Sequence, residues 1–198
     1  MTNLIRLGDF IELEKGLTYK GEFLAEGSET GLLGLDSFIP GGGYKRNSEK
    51  PYSGPFKQKQ AVNPGDIVLC LTDVSQDGSV LGSPLRVPMD LAGYQNLIMS
   101  HHIAKVVFKS KDLLPGYLYN IFRVPYFRER MAYGDTGTTV RALPFEVVYE
   151  QQVPIPDLSA QKAIAELIEA VDEKIEPSNA RQIAEYRAQL IPKLILEL

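Results

Sequence analysis

The chain has 198 residues, of which 44% are apolar and 23% are charged, and its formal net charge at pH 7 is −4. This length fits one substantial domain, or one domain with a helical appendage, and the composition is that of an ordinary globular protein. No run of about 18 apolar residues predicts a membrane span. The N-terminus lacks the basic and then apolar layout of a secretory signal. We therefore expect a cytoplasmic protein.

The charge is unevenly distributed along the chain. Residues 44–59 carry five cationic side chains against one acidic side chain, and residues 101–130 carry six against two. The segment from residue 157 onward carries five against eight. A net negative protein is an unusual nucleic-acid binder, but the acidic excess lies mainly in the C-terminal segment. The body can therefore present a basic face, although ordinary solvated lysines and arginines explain the same counts.

The first part of the chain, up to about residue 156, predicts a β-rich α+β domain. It holds most of the glycine and proline, and its short apolar runs lie between turn signals. We predict an opening element at 5–14 and strands at 31–35, 67–71, 79–81, 86–88 and 102–108. The run Pro40-Gly41-Gly42-Gly43 must be a loop, because three glycines cost too much conformational entropy inside an element.

The middle of the chain predicts a helical region that proline divides. Residues 115–130 have helical spacing, with Leu118, Ile121 and Phe122 on one face. Pro125 interrupts this pattern, so we expect a kink or two short helices. We predict a polar loop at 134–139, a short connector at 144–149 and an extended, proline-restricted segment at 153–156.

Residues 157–198 contain no glycine and show helical spacing, with Ser159 as the expected N-cap. Their apolar stripe is a predicted interface and consists of Ile164, Leu167, Ile168, Val171, Ile175, Ile183, Tyr186, Leu190 and Leu194. Such a stripe is covered either by its own domain or by a partner helix. We favour the partner helix, because the segment leaves the body through a stiff Pro-x-Pro exit.

The sequence offers little catalytic chemistry. His101 and His102 are adjacent and cannot form a helical metal pair, and one distant cysteine, Cys70, does not complete a zinc site. The triple glycine lacks the Gly-Lys-Ser/Thr ending of a phosphate-binding loop. Neither a Gly-x-Ser-x-Gly elbow nor the Asn/Asp-Pro-Pro-Tyr/Phe hallmark of methyltransferases occurs. We predict no catalytic residue, no bound metal, and a buried core thiol at Cys70.

Several motifs, in their order and spacing, resemble half of a type I restriction–modification specificity subunit. The opening Ile5-Arg6-Leu7-Gly8-Asp9-Phe10 with Lys15-Gly16, the unit Val62-Asn63-Pro64-Gly65-Asp66-Ile67-Val68-Leu69 and the exit Val153-Pro154-Ile155-Pro156 are similar to parts of a target recognition domain. Residues 158–165 and 171–175 are similar to the helix that follows such a domain. The resemblance covers nearly the whole chain.

The resemblance implies a DNA target recognition domain at 1–156 and a helical dimerisation or spacer region at 157–198. Specificity subunits generally carry two such domains, separated by two long helices that pack antiparallel, and each domain reads half of a split target. A chain with one domain and one helix would then pair with a second copy through an antiparallel helix and read an interrupted palindrome. The implied partners are double-stranded DNA and a modification subunit that binds S-adenosylmethionine; whether a restriction subunit joins them is left open by the sequence. The chain itself would need no cofactor.

A DNA reader of this kind places cations and amides on phosphates, and forked or amide side chains on base edges. We predict these contacts from the basic segment 44–59, from the loop after the strand at 67–71, and from the glycine loop near 136. The predicted DNA-binding residues are Tyr44, Lys45, Arg46, Tyr52, Lys57, Lys59, Gln76, Asp77, Thr136, Thr138, Thr139 and Arg141. We favour Arg46 and Arg141 as base readers, because arginine can bind guanine with two hydrogen bonds.

Two other interpretations remain. The chain could be a scaffold that acts through its C-terminal helix and never touches DNA, or an enzyme whose site the motifs do not reveal. A salt titration of DNA binding distinguishes a DNA reader from such a scaffold, because phosphate contacts give a steep salt dependence. A metal or nucleotide bound to the purified protein would indicate the second.

Overall fold

The computed structural model describes residues 3–74, 78–136, 140–173, 189 and 192–195. The strands are β1 (Asn3–Arg6), β2 (Ile11–Lys15), β3 (Thr30–Leu33), β4 (Lys50–Pro51), β5 (Ala61–Val62), β6 (Ile67–Cys70), β7 (Thr72–Asp73), β8 (Pro84–Arg86), β9 (Asn96–Met99), β10 (Ile103–Phe108), β11 (Arg141–Ala142) and β12 (Gln152–Ile155). The α-helices are α1 (Pro115–Arg123), α2 (Pro125–Ala132), α3 (Phe145–Tyr149) and α4 (Leu158–Asp172). Short 3-10 helices are Leu7–Asp9, Gly21–Phe23, Leu35–Ser37, Gln58–Gln60 and Leu91–Gly93. The predicted α+β class is confirmed.

Four strands form an antiparallel sheet in the order β2-β10-β6-β8. Strand β6 is buried on both sides, because successive side chains of a strand point to opposite faces. Ile67 and Leu69 enter one core cluster, whereas Val68 and Cys70 enter a second. This double burial explains the continuous apolar run in the sequence, and the strands predicted at 67–71 and 102–108 are confirmed.

A second sheet, in the order β4-β3-β9-β5, packs against the second cluster. Strands β3 and β9 run parallel, with Leu32 opposite Ile98. Leu33 and Leu97 turn into the cluster between the two sheets. Leu32 and Ile98 turn the other way and join Tyr52 in a third cluster. The core is therefore layered, because the antiparallel sheet that contains β6 packs against the first cluster on one face and against the second cluster on the other.

Helix α1 covers the other face of the antiparallel sheet. Tyr117, Leu118 and Ile121 are fully buried in the first cluster. The helix ends at Arg123, because the residue before Pro125 is biased away from helical geometry and Val124 is extended, with φ −68° and ψ 122°. Helix α2 then begins with Pro125 at its first position, where no amide hydrogen is needed. The division into two short helices is confirmed.

The strand near the start of the chain pairs with the strand that leads to the last described helix. β1 and β12 are antiparallel, with Asn3 opposite Ile155 and Arg6 opposite Gln152. Beyond the strand, the Leu7 amide donates to the Gln151 carbonyl oxygen at 2.9 Å. The extended segment that the Pro-x-Pro exit predicts is thus a paired strand.

Some local predictions are wrong. Residues 79–81 form a turn, because the Asp73 carboxylate accepts a hydrogen bond from the Val80 amide at 2.8 Å, and the strand begins later, at Pro84. The connector predicted at 144–149 contains helix α3, whose Val148 is fully buried. Strand β9 was not predicted from the sequence.

Helix α4 begins earlier than the sequence suggests and is fixed by polar contacts. Its N-cap is Asp157, not Ser159, since the Asp157 carboxylate accepts from the Ala160 amide at 2.8 Å. The side chain of Gln161, with 0% exposed, accepts from the Leu114 amide at 2.9 Å. Its amide group donates to two backbone carbonyls. The hydrogen bonds of Gln161 to Leu114 and Asp112 fix α4 to the body of its own chain.

The apolar face of α4 packs on the chain's own core. Ile164 and Ile168 are 7% and 0% exposed within the first cluster, and α4 lies against α1. Their assignment to a partner interface is therefore wrong, because the domain itself covers them. Leu194 is also partly buried against this cluster. Leu167 is 47% exposed and Val171 is half-buried, so these two remain available to a partner.

The other predicted interface residues, Ile175, Ile183, Tyr186 and Leu190, lie outside the described residues. Their role stays a prediction, as does the division of the chain into 1–156 and 157–198. Helix α4 is described to Asp172, so the predicted pairing with a partner helix concerns residues beyond it as well.

Candidate nucleic-acid interface

The pairing of β7 with β11 brings two separate loops together. Asp73 lies opposite Arg141, and Thr72 lies opposite Ala142. Thr136 forms a further antiparallel bridge with Ala142. Thr136 and Arg141, which stand at the described ends of the glycine loop, therefore lie beside β7.

Four of the predicted DNA-binding residues, Gln76, Asp77, Thr138 and Thr139, lie outside the described residues, and their assignment stays a prediction. Thr136 directly precedes the glycine-loop segment that holds two of them. It is exposed and lines a cavity of about 430 Å³ together with Lys15 and Thr72.

Arg141 is partly buried and closely held. Its guanidinium forms an ion pair with Asp135, and Nη2 lies 3.5 Å from the Ala132 carbonyl oxygen. The group rests on Gly78, where a Cβ atom would overlap Arg141 Nη1. Gly78 also has a φ of +64°, which favours glycine. The loop therefore holds the guanidinium closely between Asp135 and Gly78, and Arg141 can bind a ligand only by leaving or sharing the Asp135 carboxylate.

Arg128 is a functional candidate that the sequence prediction missed. It lies on α2 and lines a groove of about 210 Å³ with Arg141 and the turn at 78–81; we call this the Arg128 groove. Its Nε is buried and has no hydrogen-bond partner among the described residues. Burial lowers the pKa of the guanidinium, although the neighbouring Glu129 charge acts in the opposite direction. Arginine stays cationic in proteins despite such shifts.

A sequence signal for Arg128 does exist. Positions three and four residues away on the helix are Val124, Pro125, Met131 and Ala132, so no acidic side chain stands at ion-pair spacing. A cation on a partly apolar helix without a local counter-charge must find its partner elsewhere. That signal shows only that a partner is needed and does not locate it.

The triple-glycine loop lies against the Arg128 groove. The Gly41 amide donates to Ser83 Oγ at 3.1 Å, and the Gly43 amide donates to the Pro84 carbonyl oxygen at 3.0 Å. A Cβ atom at Gly41 would lie 3.5 Å from Arg128 Nη2. The predicted loop is confirmed, and its backbone fixes one wall beside the Arg128 guanidinium.

The basic segment presents exposed cations. Lys45, Lys57 and Lys59 are exposed and form no ion pair within the described part of the chain. Arg46 binds both oxygens of Asp90, at 3.0 and 3.2 Å. These hydrogen bonds lower the pKa of Asp90. Arg46 can contact DNA only by leaving or sharing this carboxylate, which is exposed like its partner.

The two predicted tyrosines differ from the lysines. Tyr52 is 2% exposed in the third cluster, and its hydroxyl donates to the Pro55 carbonyl oxygen at 3.2 Å. Its prediction as a DNA contact is wrong, because the ring is a packing element between Tyr19 and Phe23. Tyr44 is half-buried, and its hydroxyl is buried without a hydrogen-bond partner among the described residues. Tyr44 is therefore at most a peripheral member of the surface.

The cysteine that could support catalysis is buried, whereas the two histidines are partly exposed. Cys70 is 0% exposed, and burial raises the pKa of its thiol to about 12. His101 and His102 stack with ring centroids 3.8 Å apart, and His102 Nδ1 is hydrogen-bonded to Thr72 Oγ1 at 2.6 Å. Burial lowers the pKa of both imidazoles, with further contributions from Lys15.

Within the residues described, no group of three or more histidine, cysteine or acidic side chains is arranged to hold a metal ion. The helices in the same part of the chain are all too short or too polar to cross a membrane.

The fold is a layered α+β module, and its surface segments carry the candidate arginines Arg46 and Arg141. The family model of the type I restriction modification DNA specificity domain matches residues 2–185. The chain belongs to this family, as its motifs predict.

Relatives of known class agree with this membership. The type I restriction enzyme MjaVIII specificity subunit of Methanocaldococcus jannaschii is 24% identical over 186 residues, which covers 87% of this chain and 40% of that protein. Among solved structures, the S subunit of a type I restriction-modification system from M. genitalium superposes with a TM-score of 0.60 at 14% identity, covering 87% of this chain and 39% of the other. The HsdS subunit from Thermoanaerobacter tengcongensis gives 0.59 at 13% identity, covering 98% and 44%. The chain thus spans about two fifths of the length of these relatives.

Proposed function

We propose that this chain is a target recognition module that directs a type I modification or restriction complex to a specific DNA sequence. The observation that carries the proposal is the β7–β11 pairing, which places Arg141 and Thr136 beside the end of β7. Loops held on a rigid sheet are where recognition residues are commonly placed. Family membership supplies the DNA-specificity role, and this surface supplies the groups that could perform it.

The cations divide into two tasks. Lys45, Lys57 and Lys59 form no ion pair with the described residues and are point charges suited to phosphates, which set the register of a protein on DNA without reading sequence. Arg46 and Arg141 carry forked donors that match the N7 and O6 atoms of guanine in the major groove. Arg46 is held by an exposed carboxylate, and exposed ion pairs contribute little to stability, so exchange of partner is easy.

A bipartite target requires a second recognition module. We infer that two copies of this chain pair and read the two halves of an interrupted palindrome, because two-fold protein symmetry imposes two-fold symmetry on the site. The exposed side of α4, with Leu167 and Val171, is the described surface suited to this contact. Residues 175–190 would extend it.

The proposal assigns the chemistry to partners. The chain would act without a cofactor and without catalysis, in the cytoplasm, and the modification subunit would bind S-adenosylmethionine and transfer the methyl group. A restriction subunit would join the same assembly. The buried Cys70 supports a non-catalytic role, because its thiol is not accessible as a nucleophile.

The test maps DNA methylation in cells that carry the modification subunit with this chain, without it, or with the Arg46→Ala or Arg141→Ala variant. We expect methylation at one split sequence that disappears without the chain, and relaxed or lost base choice in the arginine variants. Each good bidentate pair discriminates against the wrong base by about 1–3 kcal/mol.

Lys20→Ala is the matched control for this test. It removes one cation that is paired with Glu22 and is 79% exposed, outside the surfaces proposed to bind DNA or a second copy, and it should leave the methylated sequence unchanged. An identical methylation pattern with and without the chain would contradict the proposed function. Unchanged base choice in both arginine variants would contradict only the assignment of base readers.

A further inference from the structure

Arg128 has no ion-pair partner within the part of the chain that the structure describes. It also forms no side-chain hydrogen bond with those residues, although its Nε is buried. Arg123, which is 1% exposed, has both Asp172 and Asn120 as partners. A buried polar group without a hydrogen-bond partner costs free energy, so the buried Nε of the partly buried Arg128 is held at an energetic disadvantage.

Arg128 lines an open groove rather than a packed core. The groove has a volume of about 210 Å³ and is lined by residues of α2, by the turn at 78–81 and by Arg141. The charge of Arg141 is already matched by Asp135. Glu129 borders the groove but forms no ion pair with Arg128, since adjacent residues on a helix point in different directions. Gly41 leaves the Nη2 side unobstructed by any side chain of its own.

The ligand that fits is an anion with several acceptor oxygens. A guanidinium presents only donors, and an unmatched positive charge favours an anionic acceptor over a neutral base edge. Gly78 and Arg141 line the groove, and Gly78 directly follows the predicted base-reading residues Gln76 and Asp77 in the sequence. A backbone phosphate bound at this point would fix the register of those side chains on the duplex.

We propose that the Arg128 groove binds a phosphate of the DNA backbone and thereby positions the β7–β11 loops on the bases. The proposal rests on the proposed function, since the phosphate belongs to DNA. Arg128 is thus a register-setting contact, distinct from the base readers Arg46 and Arg141.

The test compares Arg128→Gln with Arg130→Gln in the full chain, using a random-sequence DNA duplex as the probe. Both variants remove one cation from α2, but Arg130 lies on another groove and contacts Tyr126. We expect Arg128→Gln to weaken binding on the order of tenfold, as for a charged hydrogen bond. The slope of log K against log salt should fall by about 0.9, the value for one phosphate. Arg130→Gln should keep the wild-type slope.

Two further measurements separate this role from a structural one and from base reading. The melting temperature of free Arg128→Gln should stay unchanged or rise, because the variant removes a partly buried cation that has no ion-pair partner among the described residues. Arg128→Lys should restore the slope, since lysine also binds phosphate as a point charge. A lower melting temperature with unchanged affinity would overturn the proposal, and so would an altered sequence preference with an unchanged slope.

Failure of the two proposals gives different results. If the wild-type chain shows no salt-dependent binding to the duplex, the proposed function itself is contradicted. If the wild type binds but Arg128→Gln and Arg130→Gln have the same affinity and slope, only the assignment of Arg128 is overturned.

Discussion

Two arginines on neighbouring helical turns show how the same side chain serves different ends. Arg123 is 1% exposed, and its Nη1 lies 2.6 Å from Asp172 Oδ2 and 2.8 Å from Asn120 Oδ1. It fixes α4 to α1. Arg128 has no such partners among the described residues and lines a groove. The contrast lies in the tertiary environment, since Arg123 faces α4 whereas Arg128 lies opposite the turn at 78–81.

The Arg123–Asp172 pair should contribute more to stability than a nearby exposed pair. Asp172→Asn leaves a buried guanidinium without its counter-charge, which costs about 3 kcal/mol. Glu169→Gln removes the partner of Arg86 at a site where both side chains are at least 36% exposed, and it should cost less than about 1 kcal/mol. Urea unfolding of the two variants measures the difference. Equal losses would show that the burial of Arg123 does not govern the pair.

Gly16 is required for a close approach of two backbones. A Cβ at this position would overlap the carbonyl oxygens of Ser100 and Met99 and lie 2.6 Å from the Met99 carbonyl carbon. Gly16→Ala should therefore destabilise the protein by about 1–3 kcal/mol, as in overpacked sites. Gly21→Ala is the control, because no atom lies within 4 Å of its Cβ position. A thermal melt in which both variants match the wild type would contradict this explanation of Gly16.

At the scale of elements, the sequence predicts what is locally determined. Strand β6 and the break at Pro125 follow from an apolar run and from proline stereochemistry, and both are confirmed. Strand β9 was not predicted, because it is defined by a parallel pairing with β3, more than sixty residues earlier in the chain. The turn at 79–81 depends on the Asp73 carboxylate, a contact that the strand-like composition of the segment does not reveal.

The candidate site follows the same division. Thr136 and Arg141 were predicted from a polar glycine loop, and the structure brings that loop beside β7. Tyr52 was assigned by its position in a basic segment, although its ring is buried by the third cluster. Arg128 was missed because the absence of a partner is a property of the folded chain. Composition identifies the kind of side chain, whereas the fold decides which of them faces a ligand.

Helix α4 has two faces with different roles, and substitutions separate them. Ile168→Ala should reduce the free energy of unfolding by about 2–5 kcal/mol, because a fully buried side chain leaves a cavity. Leu167→Ala should leave stability nearly unchanged, since Leu167 is 47% exposed and alanine is a strong helix former.

Sedimentation of the same variants tests the proposed pairing of two copies. Leu167→Ala should shift the protein toward the monomer, whereas a wild-type chain that stays monomeric even with the modification subunit would contradict the pairing. A loss of stability in Leu167→Ala equal to that of Ile168→Ala would show that both faces pack on the body.

At the scale of the whole molecule, a net charge of −4 is compatible with a DNA-reading face. The acidic side chains of the described surface pair with several arginines, as Asp90 does with Arg46 and Asp135 with Arg141. A protein built in this way has weak general attraction to phosphates and must gain its affinity from a few placed contacts. Such a balance favours discrimination between sequences over affinity for any duplex.

The pairing of β1 with β12 has a consequence for how such modules can be combined. Because the chain enters and leaves the β-structure through two adjacent antiparallel strands, the segment between them has neighbouring ends, and α4 packs on it from outside. Units with neighbouring ends can be exchanged or duplicated with little disturbance of what surrounds them. If the proposed function holds, we expect that the segment and α4 together can be replaced as one piece, which would change the target sequence of the assembly.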